Sequence, residues 1–128
     1  VFSVRRVGMN MQVAVQQLLT RKLKINIVCN LNALGQDRFR VYAGNVLSDS
    51  SMMKRLGTGY DIVLANIVAD VIIALAPKVR SFMAEGAVFI CSGIIDGRED
   101  EVISALRNAG FEITAHFHEE EWNAFECR

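Results

Sequence analysis

The sequence predicts an α/β domain, a sheet of largely parallel strands with helices between them and an antiparallel hairpin over residues 111–127 at one edge. Three observations carry this. "YDIVLA" and "AVFICS" are continuously apolar rather than alternating, as expected of strands covered on both faces. Each is followed by apolar positions at helical spacing: Ile67, Val71, Leu75 and Val79 after the first, and Val102, Ile103 and Leu106 after the second. Finally, "FEITAHFH" alternates, "EWNAFECR" follows it, and the loop at Glu119 to Glu121 makes the two a hairpin.

The chain of 128 residues suits one such domain and is too short for two. Apolar residues make up 52% and charged residues 22%, which excludes a disordered chain. Asn66, Asp70 and Pro77 break the longest apolar run short of the ~18 residues a membrane span needs, so no membrane partner is expected. Cys29, Cys91 and Cys127 lie far apart, without metal-ligand or redox spacing, and read as reduced thiols of a cytoplasmic protein. Charge is uneven: Arg5, Arg6, Arg21, Lys22 and Lys24 give the first 36 residues +5 with no acid, and the remainder carries −5. The basic arm reads first as a solvated helix face, with RNA contact or a targeting peptide as the other readings. The chain opens on valine and reads as a piece of a longer protein.

Met11, Val15, Leu18, Leu19 and Leu23 recur at helical spacing and predict a helix from about residue 10. Residues 24–32 read equally as strand or helix. "GQD" at 35–37 is a turn, "RFRVYAG" a short strand, and "SDSSMMKRLGTG" a polar loop with room for a short helix. Pro77 should kink or restart the helix after Asn66, and Gly86 should end it. Asp96 with Glu99 three residues later has the form of a capping box, and Gly110 is a helix stop. Phe111, Ile113, Ala115 and Phe117 should share one face of the first hairpin strand, with Trp122 packing the hairpin onto the sheet. His116 and His118, beside three glutamates, superficially suggest metal ligands, but read as solvated hairpin residues; no metal is expected.

Asn66 interrupts "YDIVLANIVADVII" where the strand's carboxyl end hands over to a helix, the edge at which open α/β sheets bind ligands. Two readings stay open for it: a helix N-cap, which asparagine favours, or a polar group placed in a site.

In order and spacing, "DRFRVYAGNVL", "YDIVLANIVADVI", "LAPKV", "GAVFICSGII" and "EWNAFECR" resemble the carboxyl-terminal part of the PrmA-type ribosomal protein methyltransferases. The resemblance covers about residues 30–128, and "ANIVAD" joined to "SGII" is its more specific pair. It implies the Rossmann-like sheet of class I S-adenosylmethionine-dependent methyltransferases, incomplete here because the cofactor-binding first strands are missing. It divides the chain into 1–34, a basic helical segment poorly matching the family, and 35–128, the carboxyl-terminal part of the methyltransferase domain. S-adenosyl-L-methionine is the implied cofactor, a large-subunit ribosomal protein methylated at lysine and α-amino groups the implied substrate, and the cytoplasm the implied location. No direct nucleic-acid partner is expected.

In such enzymes the residue closing this strand is Asn or Asp, which makes Asn66 the catalytic candidate and, by the same resemblance, a cofactor contact. The chemistry suits the residue type. An amide oxygen and the adjacent backbone carbonyl can accept an amine's hydrogens, aim its lone pair and stabilise charge building on nitrogen. Asn45 in "AGN" stands where related enzymes often carry an acid that contacts adenine, so it is the second cofactor-binding candidate; a turn residue is the other reading. Ser92 and Gly93 either border the acceptor pocket or make a tight turn.

The sequence departs from the family in its amino-terminal part. It has no "GxGxG" and no acid before Asp37, whereas cofactor binding in this fold rests on a glycine loop and a ribose-gripping acid. The chain alone is therefore expected to bind S-adenosylmethionine weakly or not at all, and to leave "DIVLAN" with an unpaired edge. It reads either as a truncated methyltransferase or as a non-enzymatic remnant or interaction module that keeps the α/β scaffold.

Overall fold

The computed structural model describes residues 2–4, 11–15 and 39–128. Among the described residues seven strands form one sheet: β1 (Phe2–Val4), β2 (Met11–Val15), β3 (Phe39–Ala43), β4 (Tyr60–Asn66), β5 (Met83–Ile95), β6 (Ile113–Glu119) and β7 (Trp122–Cys127). Their order across the sheet is β3-β2-β1-β4-β5-β7-β6. Helix α1 (Ser50–Leu56) joins β3 to β4, α2 (Ala69–Val79) joins β4 to β5, and α3 (Glu99–Asn108) joins β5 to β6. β4 is central and parallel to β5, and the antiparallel β6–β7 hairpin forms one edge. This is the α/β sheet the sequence predicts.

Cover on both faces of β4 and β5 was expected; the described residues cover one. Val63, Ala65, Phe89, Cys91 and Phe125 join Met52, Leu75 and Leu106, one from each helix, in a single core. On the opposite face Leu64, Val88 and Ile90 are half-buried and Ile62 is 38% exposed. The reason is topological. The chain moves in one direction across the sheet from β3 to β4 to β5, and right-handed crossovers moving in one direction lay their helices on one face.

Several local expectations are corrected. Met11–Val15 is a strand parallel to β3, not the start of a helix. Met11, Val13 and Val15 also alternate, so both periods fit this window, and pairing decides it. The rest of that predicted helix, the ambiguous 24–32 stretch and the "GQD" turn lie outside the described residues. β4 does not keep an open edge: β1 pairs with it antiparallel, Phe2 opposite Leu64 and Val4 opposite Ile62. Unpaired backbone groups on a strand edge accept any extended segment, in either direction.

Gly86 lies inside β5, not at a helix end, where the ladder to β4 shifts register between the Tyr60 and Ile62 pairs. Helix α2 runs through Pro77 to Val79 and tightens into a 3-10 turn at Arg80–Phe82. Asp96 and Glu99 make no capping box, because α3 starts at Glu99 behind an Arg98 cap without a side-chain bond. Gly110, at φ +84, does follow the end of α3. A bulge between Ile113 and Ala115 splits the expected hairpin face, so Ile113 pairs with Cys127 whereas Phe117 pairs with Ala124 on the other side.

Candidate functional site

Asn66 closes β4 opposite Ser92, and Ile67 N–H donates to the Ser92 carbonyl at 3.0 Å. Helix α2 begins at Ala69, its cap is Val68, and no side chain caps it. The capping role of Asn66 is therefore excluded, and the residue is exposed at the strand end.

What positions that amide is a missing side chain. Gly93 is an extra residue in β5, between Ser92 opposite Ala124 and Ile94 opposite Asn123, with φ +83. A Cβ at Gly93 would lie 2.8 Å from Asn66 Oδ1 and 3.1 Å from the Ile67 carbonyl oxygen. Two hydrogen-bond acceptors thus converge over one bare backbone position. Such a pair suits a donor with more than one N–H, such as an amine.

Beside Gly93 opens a groove of about 670 Å³, bordered by Ser92, Gly93, Phe117, Glu119, Trp122 and Ala124. Trp122 does not pack the hairpin onto the sheet. It is 47% exposed, paired with Ile95 and Glu119 on the face without described helices. Asn123, 2% exposed and unmarked in the sequence analysis, also lines the groove, together with His116 and His118. Its Oδ1 meets His116 Nε2 at 2.7 Å, and its Nδ2 donates to Asp96 at 2.8 Å and Glu99 at 3.2 Å. His118 Nε2 reaches Asp96 at 3.0 Å. The bond from Asn123, then that from His118, holds the Asp96 carboxyl below its ordinary value. The imidazoles are thus tied into a hydrogen-bond network, and no cluster of three metal-ligating side chains occurs among the described residues. Arg98 bridges Asp70 at 2.6 Å and Glu101 at 2.8 Å, and those carboxylates hold its guanidinium above its ordinary value while tying α2 to α3.

Asn45 lies on the same edge of the sheet but is not brought to Asn66, since β3 and β4 are three strand spacings apart, roughly 14 Å. Its Oδ1 accepts from Leu47 N–H at 2.9 Å and its carbonyl from Asp49 N–H at 2.8 Å, the geometry of a turn residue. The described residues therefore place two hydrogen-bond acceptors at the carboxyl edge of the sheet. Asn45 thus spends its amide oxygen on the turn, and the first 36 residues of the sequence contain no acid. No described helix is long and apolar enough to cross a membrane.

Known proteins resemble this chain in sequence and in fold. The family model described as ribosomal protein L11 methyltransferase (PrmA) matches residues 13–128. The chain is 44% identical over 93 residues to a ribosomal protein L11 methyltransferase of Agathobacter rectalis, covering 72% of this chain and 29% of that protein. It is 32% identical over 102 residues to that of Pelotomaculum thermopropionicum, covering 80% and 33%. The chain thus spans about a third or less of these relatives. In fold it is similar to the ribosomal protein L11 methylase of Lactobacillus delbrueckii subsp. bulgaricus, with TM-score 0.77 at 19% identity over 91% of this chain and 56% of that one. Aeropyrum pernix fibrillarin, a structure with bound S-adenosyl-L-methionine, gives 0.73 at 11% identity over 91% and 54%. With nearly its whole length matched, and with Asn66 and the hairpin groove at the carboxyl edge of such a sheet, the chain belongs to the ribosomal protein L11 methyltransferase (PrmA) family.

Proposed function

We propose that the chain is the catalytic carboxyl-terminal portion of a cytoplasmic, S-adenosylmethionine-dependent protein methyltransferase that acts on amino groups of a ribosomal protein. One observation carries the reading: Asn66 Oδ1 and the Ile67 carbonyl converge over Gly93, with Asn66 released from any capping duty. When bound, S-adenosylmethionine supplies an electrophilic methyl group on sulfur. Asn66 and Ile67 accept the hydrogens of the incoming neutral amine, fix its lone pair and favour the charge that builds on nitrogen. Asn66 also borders the cofactor, and Asn45 contributes through the turn it fixes at the adenine end.

The same chain is inactive alone in this proposal. It has no glycine loop, and β1 runs antiparallel to β4. That observation also supports a second reading, a scaffold that serves as an interaction module without cofactor. Calorimetry with S-adenosylmethionine should show no micromolar binding to the chain. Joined in frame to the amino-terminal part of the Agathobacter rectalis relative, it should methylate ribosomal protein L11. In that enzyme Asn66→Ala should lower kcat by about 10² to 10³, as loss of one hydrogen-bonding group at a reacting centre does. Near-normal turnover of the variant would remove Asn66 from the chemistry, and no turnover of the joined parent would favour the module.

A further inference from the structure

We infer that the tip of the β6–β7 hairpin is a docking groove for a basic polypeptide segment carrying an apolar anchor. Three independent observations meet there. The first is apolar surface. Phe117, Trp122 and Ile95 are 57%, 47% and 47% exposed and lie on one face, Trp122 opposite Ile95 and Phe117 opposite Ala124. Large exposed aromatic side chains grouped on one face mark an interaction site.

The second is charge. Glu119, Glu120 and Glu121 run across the turn, all exposed, and none forms an ion pair among the described residues. The nearby Arg98 is already engaged by Asp70 and Glu101, and the His118 ring is hydrogen-bonded to Asp96. The third is backbone cost. Glu120 is the sole non-glycine residue at positive φ (+55) among the described residues, in a two-residue turn where Gly, Asn or Asp are favoured. Three adjacent like charges on an unfavourable turn are costly for folding, and a cation arriving from outside relieves the repulsion.

Charge complementarity selects the occupant. Lysine or arginine stems lie along the Trp122 and Phe117 rings with their heads on the glutamates, and an apolar side chain fills the groove between them. Nucleic acid and acidic partners are repelled. The inference rests on the methyltransferase reading only in naming this segment as the stretch flanking the acceptor amine; docking itself is measured without methyl transfer.

Trp122 is the one tryptophan of the chain, so its fluorescence reports the groove directly. The full chain is titrated with a short capped lysine-rich peptide bearing one central leucine, with its arginine counterpart, and with an acidic peptide bearing the same leucine. Both basic peptides should shift Trp122 emission, with an affinity that falls as salt rises, and the acidic one should not. Glu119→Gln, Glu120→Gln and Glu121→Gln together should weaken binding about tenfold. Glu120→Gly should melt no lower than the parent, since glycine tolerates the turn, yet bind the basic peptides more weakly. Basic peptides that leave emission unchanged, or bind the triple variant equally, overturn the inference. So does a concentration-dependent dimer that buries Trp122, which would make a second copy the occupant. Because docking is read from Trp122 emission without methyl transfer, loss of docking fails this inference alone, whereas intact docking with no methylation by the joined enzyme fails the enzyme reading alone.

Discussion

Replacing Gly93 by alanine tests the site at its narrowest point. Two costs are expected, and the structure allows them to be separated. The first is backbone: at φ +83 an alanine is in the left-handed region, at about 1–2 kcal/mol. The second is contact, because the new Cβ would lie 2.8 Å from Asn66 Oδ1, 3.1 Å from the Ile67 carbonyl and 3.3 Å from Ile67 N. The amide can swing away, but the Ile67 backbone is held by its bond to Ser92, so about 1 kcal/mol more is expected. Gly97 supplies the control, with φ +84 and nothing within 4 Å. For a chain of this length 1 kcal/mol corresponds to about 4 °C of Tm. Gly97→Ala should therefore lower the melting temperature by about 4–8 °C and Gly93→Ala by about 4 °C beyond that. Asn66→Ala alone should change stability by less than about 0.5 kcal/mol, since it caps nothing. In the Gly93→Ala background it should recover about 0.5 kcal/mol, the coupling of neighbours in contact. Circular-dichroism melts of the five proteins measure all of these terms. Equal melting of the two glycine variants, or strict additivity with Asn66→Ala, would refute the claim that Gly93 holds the amide in place.

Phe89, fully buried at the centre of the sheet, should cost about 3–5 kcal/mol as Phe89→Ala, read by denaturant unfolding. The Cys91 thiol is raised above its ordinary value by the neighbouring Cys127 thiol and by burial, so it should resist iodoacetamide in the native chain and react once unfolded. Asp96 titrates below its ordinary value, so the native state binds fewer protons there than the unfolded chain. Its contribution to stability is present above about pH 3.9 and is lost as pH falls from there through the lower native value. Asp96→Asn should flatten that part of a pH series of melts.

Strands β4 and β5 were legible because of their continuous apolar runs, α2 because Val71, Leu75 and Val79 recur over about two turns, and α3 because Val102, Ile103 and Leu106 share one face. Where the reading failed, the deciding partner lay far along the chain. Asp96 looked like half of a capping box, but its oxygen is taken by Asn123, 27 positions away. Met11–Val15 fitted two periods, and only a neighbouring edge chose between them. Phe117 was assigned to the wrong face because the bulge after Ile113 leaves no mark in an otherwise regular alternation. At the site, the sequence gives the identity of Asn66 but not its freedom. That depends on α2 starting three residues later.

The extra residue at Gly93 also makes β5 a strand with two phases. Before it the buried positions are odd, Ala87, Phe89 and Cys91; after it the buried position is Ile94, with Ile95 facing outward. A charge scan along this strand should therefore be refused at 89 and 91, tolerated at 88 and 90, and then reverse, refused at 94 and tolerated at 95. The hydrophobic pattern slips by one at the glycine. Relatives compared by that pattern alone, without a glycine to mark the slip, would be placed one residue out of step from 94 to 95, and the outward Ile95 beside Trp122 would be mistaken for core.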